Sequence, residues 1–103
     1  MKELVHQMAK RIADKFHPQK IILFGSLARG EAKTESDVDL LIVLECSNQQ
    51  KRELQVAIRR ELRDFKIPKD IIVTNQEELH KYKDAWWTIY QPALKEGVVL
   101  YER

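Results

Sequence analysis

Asp37 and Asp39 stand two positions apart, and Asp39 is followed at once by the apolar run Leu40-Leu41-Ile42-Val43-Leu44. On a strand, residues two apart point to the same face, with Cα atoms about 6.5–7 Å apart. Two carboxylates so placed repel each other and are costly to desolvate. Water or a cation has to compensate them. Hard divalent cations such as Mg²⁺ take oxygen ligands and bridge carboxylates to phosphates. The same Asp-x-Asp also describes a strand that begins at the surface with both acids solvated, although the apolar run after Asp39 fits that less well. Upstream, Ile21-Ile22-Leu23-Phe24 runs into Gly25-Ser26. Glycine lets a backbone approach a ligand closely. Ser26 is suited to cap a short following helix, whose free N–H groups would attract phosphate. Alone, Gly-Ser after a strand is most often an ordinary turn.

The elements that must position these residues follow from periodicity. Residues 2–16 carry Leu4, Val5, Met8, Ile12, Ala13 and Phe16 at helical spacing, and Pro18 ends the helix. Residues 20–24 and 37–44 read as buried strands. Residues 49–66 read as a second long helix, with Leu54, Ile58, Leu62 and Phe65 on its apolar stripe. After Pro68, residues 69–74 form a third strand that carries Asp70 at its head; by itself Asp70 is a polar residue at a strand edge. Asn75 with Glu78, or Thr74 with Glu77, has the spacing of a capping box. Trp86, Trp87, Tyr90 and Leu94 suggest a further helix that Pro92 would kink or split. Gly97 is placed as its C-cap, and residues 98–101 as a closing strand. Alternating strands and helices imply an α/β domain with a central sheet.

Other residues have plainer readings. His6, His17 and His80 lack metal-ligand spacing. Cys46 has no partner signature for a nucleophile. Arg52, Arg59, Arg63 and Lys66 form a basic stripe interleaved with Glu53, Glu61 and Asp64, the pattern of a solvated face. Lys33 reads as a solvated charge. Neighbouring residues on a helix sit about 100° apart, so one of Trp86 and Trp87 is expected to be exposed, a hint of a partner surface.

Composition bounds the function classes. The chain has 103 residues, enough for one core and too few for a separate substrate domain. With 44% hydrophobic residues it can fill that core. No apolar run approaches the roughly 20 residues that span a bilayer. The opening Met1-Lys2-Glu3-Leu4-Val5-His6 lacks an apolar signal core, and one cysteine permits no internal disulfide, so a cytoplasmic protein is expected. Lys and Arg number 18 against 16 Asp and Glu, a net charge of +2, which gives no argument for nucleic acid or for membrane.

Taken together, Gly25-Ser26, the ten residues 27–36 and Asp37-Val38-Asp39 resemble the signature of the nucleotidyltransferase superfamily that includes DNA polymerase β. Within it, Gly25-Ser26-Leu27-Ala28-Arg29-Gly30 and Ser36-Asp37-Val38-Asp39-Leu40 look most like the minimal nucleotidyltransferases, the MntA-type antitoxins. The likeness runs to the tail Glu96-Gly97-Val98-Val99-Leu100-Tyr101-Glu102. It implies a single minimal domain over residues 1–103, of α/β (α+β) class, with a small mixed central sheet flanked by helices. It implies a third carboxylate on a neighbouring strand, for which Asp70 is the candidate. Asp37, Asp39 and Asp70 would then be catalytic and would hold two Mg²⁺ ions, with Asp70 helping to take the acceptor's proton. Gly25 and Ser26 would bind the phosphates of ATP. Arg29 either neutralises the triphosphate or pairs with an acid such as Glu31 or Asp37. The implied acceptor is a tyrosine of a cognate HEPN-domain RNase toxin (HepT-like), which would receive AMP in a toxin–antitoxin hetero-oligomer. Two other readings compete: an antitoxin that neutralises its partner by contact alone, and transfer to a small-molecule acceptor.

Overall fold

Leu40, Leu41, Ile42 and Val43 are all fully buried, odd and even positions alike. Only a strand covered on both faces buries every side chain. In the computed structural model, which describes residues 2–25, 27–30, 37–85, 88 and 90–103, this strand lies at the centre of the molecule. The element order is α1 (Lys2–Phe16), β1 (Lys20–Phe24), β2 (Val38–Val43), α2 (Lys51–Glu61), β3 (Lys69–Thr74), α3 (Gln76–Tyr82), α4 (Tyr90–Glu96) and β4 (Val98–Glu102). The sheet order is β3-β2-β1-β4. β2 and β3 are parallel, and both other pairings are antiparallel. The expected small mixed sheet flanked by helices is therefore present.

Strand alternation sorts the core into two layers. Ile21, Leu23, Val38, Leu40, Ile42, Ile71 and Val73 meet Val5, Met8 and Ile12 of α1 and Ile58 of α2 on one face. Ile22, Leu41 and Val43 meet Leu79 of α3 and Ala93 of α4 on the other, with Phe24, Ile72 and Tyr90 packed beside them. By the same alternation Asp39 shares the second face with Leu41 and Val43, and Asp70 shares it with Ile72. Arg11 ties the first layer together. It lies 4.6 Å over the Phe65 ring and bonds the Asp64 carboxylate and the Glu61 carbonyl.

The sequence reading holds for α1, β1 and β3, whose bounds match expectation. α2 is shorter than residues 49–66. Beyond Glu61 the chain turns by i→i+3 bonds, Leu62 N–H to Arg59 O at 3.2 Å, Arg63 N–H to Arg60 O at 3.2 Å and Phe65 N–H to Leu62 O at 3.0 Å. These tighter turns keep Leu62 and Phe65 buried at a spacing that sequence alone cannot tell from an α-helix. The expected short helix after Gly25 is instead a turn over residues 27–30. Asn75 is the N-cap of α3, accepting from Glu78 N–H at 2.8 Å. The Glu78 carboxylate does not complete a capping box; it takes the Tyr90 hydroxyl at 2.8 Å and pairs with Lys51, joining α2, α3 and α4. Pro92 neither kinks nor splits α4, because it lies in its first turn, where a missing N–H costs nothing. Trp86 and Trp87 lie outside the described residues. None of the described helices is long and apolar enough to cross a membrane.

Gly97 does follow α4, with its N–H on Ala93 O at 2.9 Å. Its reason for being glycine is close approach, not a left-handed backbone. A Cβ there would overlap Ala93 O and lie 2.5 Å from Ile22 Cγ2. Gly97→Ala should therefore cost about 1–3 kcal/mol of overpacking. Urea unfolding of the variant checks this, and an unchanged midpoint would show that the contact yields freely.

Candidate functional site

The strand pairings bring four chain segments to one end of the sheet. Phe24 pairs with Asp39 across β1 and β2, Asp39 with Asp70 across β2 and β3, and Leu23 with Val98 across β1 and β4. That end thus gathers the end of β1 with Gly25, the starts of β2 and β3, and the start of β4. Asp37 lies just before β2 and is exposed, Asp39 is partly buried, and Asp70 is exposed. Asp39 and Asp70 fall on the face with Leu41 and Ile72, and the charge of Asp37, just before β2, acts on Asp39. Ser26 lies outside the described residues.

Asp39 is the electrostatic centre. Its carboxyl is pushed above the usual carboxylate range, first by burial and then by the negative charges of Asp70 and Asp37. Gly25 makes that burial possible. Its φ is +79°, a left-handed conformation natural to glycine, and a Cβ there would overlap Asp39 Oδ2. The backbone of the Gly25 turn therefore lies directly against the acid. Arg29 N–H closes the turn on Gly25 O at 3.3 Å.

Two ion pairs flank the carboxylates. Arg29 reaches Glu96 at the end of α4, 3.8 Å between Nη1 and Oε2. Glu96 is one acid that Arg29 meets, in line with the expected alternative of pairing with an acid such as Glu31 or Asp37; Glu31 lies outside the described residues. Arg59 Nη2 lies 3.4 Å from Asp70 Oδ1. Sequence reasoning had put Arg59 on a solvated face and missed Glu96. The available signal was that α2 leads directly into β3; it shows nothing of which α2 side chains overhang that strand. Asp64, also read as solvated, is held below the usual carboxylate range by the Arg11 hydrogen bond. Burial pushes the Cys46 thiol up, consistent with an inert cysteine.

The donor set suits a hard cation: carboxylate oxygens at one end of the sheet, one of them with its anionic form disfavoured by its neighbours. As they stand, no three acidic, histidine or cysteine side chains among the described residues are arranged to hold a metal ion. Asp37, Asp39 and Asp70 share a charge field, while Asp70 is engaged by Arg59.

Comparison with known proteins gives the class of enzyme to which this fold belongs. A nucleotidyltransferase domain profile matches residues 5–100, and the chain belongs to that family. A Methanocaldococcus jannaschii protein assigned by name as a protein adenylyltransferase is 33% identical over 101 residues, covering 98% of this chain and 94% of its own. A second from the same organism, assigned the same activity, is 40% identical over 48 residues, covering 47% of this chain and 48% of its own. Among solved structures, a Sulfolobus solfataricus protein assigned as a nucleotidyltransferase superposes with a TM-score of 0.68 at 22% identity, covering 100% of this chain and 81% of that one. A toxin–antitoxin structure with AMP-PNP superposes at 0.64 and 20% identity, covering 96% and 73%. The MntA–HepT toxin–antitoxin structure superposes at 0.59 and 18%, covering 100% and 74%. The fold is that of the minimal nucleotidyltransferases, as the Gly25-Ser26 and Asp37-Val38-Asp39 resemblance implied.

A raised folded-state pKa at Asp39 means that the folded chain binds that proton more tightly than the unfolded chain. Stability is then lost as pH rises from the ordinary carboxylate range through the raised value, and the penalty is complete above it. Asp39→Asn removes the penalty. In EDTA its thermal midpoint should exceed wild type near pH 7, with the gap closing below about pH 4. A midpoint below wild type at neutral pH would contradict this.

Proposed function

We propose that this chain is a Mg²⁺-dependent protein adenylyltransferase antitoxin, transferring AMP from ATP to a tyrosine of a cognate HEPN-domain RNase toxin of the HepT type. The observation that carries the reading is the Asp39–Asp70 register pair, with Asp37 just before β2, at the sheet end where Gly25 presses its backbone against Asp39. The adenylyltransferase assignment of the 33%-identical relative supports the reaction type. One structural neighbour is described as a tri-AMPylated Shewanella oneidensis HEPN toxin in complex with an MNT antitoxin, which supports the acceptor class.

The roles follow from charge. A triphosphate carries close to four negative charges and would be repelled by bare carboxylates. Asp37, Asp39 and Asp70 would hold Mg²⁺, which supplies charge neutralisation between acids and phosphates and lowers the pKa of the attacking hydroxyl. Gly25 and Ser26 would bind the β and γ phosphates, as the family resemblance implies. Arg29 leaves Glu96 for the triphosphate; an arginine fork matches phosphate geometry. Asp70, at the edge of the site, accepts the proton of the tyrosine hydroxyl. The tyrosine oxygen forms its bond to the α-phosphorus, the bond from that phosphorus to the bridging oxygen breaks, and pyrophosphate leaves with the electron pair.

Incubation with α-labelled ATP, Mg²⁺ and the protein encoded by the adjacent open reading frame tests the reading. The wild type should label a tyrosine of that protein, and Asp39→Ala should lower the rate by at least about 100-fold, the scale of a lost catalytic group. Protection from the toxin by Asp39→Ala equal to wild type, with no label in either case, would sink the proposal and leave an antitoxin acting by contact.

Gly25 offers a second test that leaves every acid in place. Gly25→Ala places a methyl where the Asp39 carboxylate lies, so labelling should fall at least about tenfold while the fold persists. A near-normal rate would mean that the close approach of Gly25 to Asp39 is not needed for the chemistry.

A further inference from the structure

Arg59 belongs to α2, which supplies none of the candidate acids, yet it touches one of them. One helical turn before it, Gln55 Oε1 accepts from the Val73 N–H of β3 at 3.3 Å. Residues i and i+4 lie on the same face of a helix. Gln55 and Arg59 therefore form a stripe laid along β3, the first bonding its backbone and the second its Asp70 carboxylate at 3.4 Å. Both partners of the ion pair are about half exposed, 48% for Arg59 and 52% for Asp70. Asp70 in turn is the register neighbour of Asp39, whose own carboxyl feels the Asp70 charge.

We infer that Arg59 is the counter-ion which Asp70 exchanges for a divalent cation, a positioning residue that biases the resting site against a bare metal ion and toward a metal–nucleotide complex. The inference rests on the proposed reading of Asp37, Asp39 and Asp70 as cation ligands. The guanidinium presents a permanent charge and a planar set of donors to the Asp70 carboxylate. A cation arriving alone must displace the guanidinium into water. A cation arriving with a triphosphate brings oxygens that match the same planar fork. An exposed pair of this kind is weak, so the exchange needs no change of fold.

The test uses the full chain and Mn²⁺ as probe, with free ion read by electron paramagnetic resonance. Arg59→Ala should bind Mn²⁺ alone about two- to fivefold more tightly than wild type, the span expected of an exposed ion pair. It should bind the Mn²⁺ complex of a non-hydrolysable ATP analogue no more tightly than wild type. Arg59→Lys, which keeps the charge but not the planar fork, should return the wild-type affinity for Mn²⁺ alone. Arg52→Ala removes the same charge from the first turn of α2 and should leave Mn²⁺ affinity within experimental error. In an Asp70→Asn background the Arg59→Ala effect should vanish. Unchanged Mn²⁺ affinity in Arg59→Ala, with weakened affinity in Asp70→Asn, would overturn the role of Arg59 and leave the carboxylate site standing. Unchanged affinity in both Asp39→Asn and Asp70→Asn would overturn the site and this inference together.

Discussion

The structure is organised around an unfavourable contact: a partly buried Asp39 with two other carboxylates in its field. Every neighbouring feature either creates or moderates that cost. β2 is buried on both faces, so an acid at its start cannot move far from the sheet. Gly25 brings polar backbone against the carboxylate at a place where any other residue would push it away. Asp70 arrives at the same level because β3 runs parallel to β2 in register. Carboxyls perturbed by burial and by like charges cluster at functional sites.

The two faces of the sheet divide the work. The α1/α2 layer carries most of the apolar core and supplies rigidity. The α3/α4 layer is smaller and covers Leu41 and Val43, leaving the carboxylate end of the same face to the charged groups. Glu78 fastens that thinner layer by joining Lys51 of α2 to Tyr90 of α4. Both Lys51 and Glu78 are about one-fifth exposed, so this pair is screened less than the surface pairs and holds the scaffold more firmly.

Much of this was legible in the chain. Periodicity located α1, β1 and β3 to the residue, because Pro18 and Gly25 follow the first two and Pro68 precedes the third. The same pattern overran α2, since i→i+3 turns and an α-helix present Leu62 and Phe65 alike. The three candidate acids could be named, two from spacing and Asp70 from family resemblance. Their counter-ions could not. Arg59 and Glu96 reach the site only through the way α2 lies along β3 and α4 ends beside the Gly25 turn, and no local pattern encodes such tertiary overhang. Gly97 was placed correctly for the wrong reason, because a cap and a close packing contact both call for glycine.

The ion pairs at the site differ in kind from those that hold the scaffold. Arg29–Glu96 and Arg59–Asp70 are both near half exposed and loose, at 3.8 and 3.4 Å. Pairs of this kind contribute at most about 1 kcal/mol, less than a triphosphate or a divalent cation can offer the same groups. On the proposed reading, one would hold a cation for phosphate and the other an acid for metal. Between them lies Asp39, whose anionic form is disfavoured first by burial and then by the charges of Asp70 and Asp37. On the proposed reading, arrival of a charged substrate would itself act as the switch, because exposed pairs of this kind are weak enough to be exchanged.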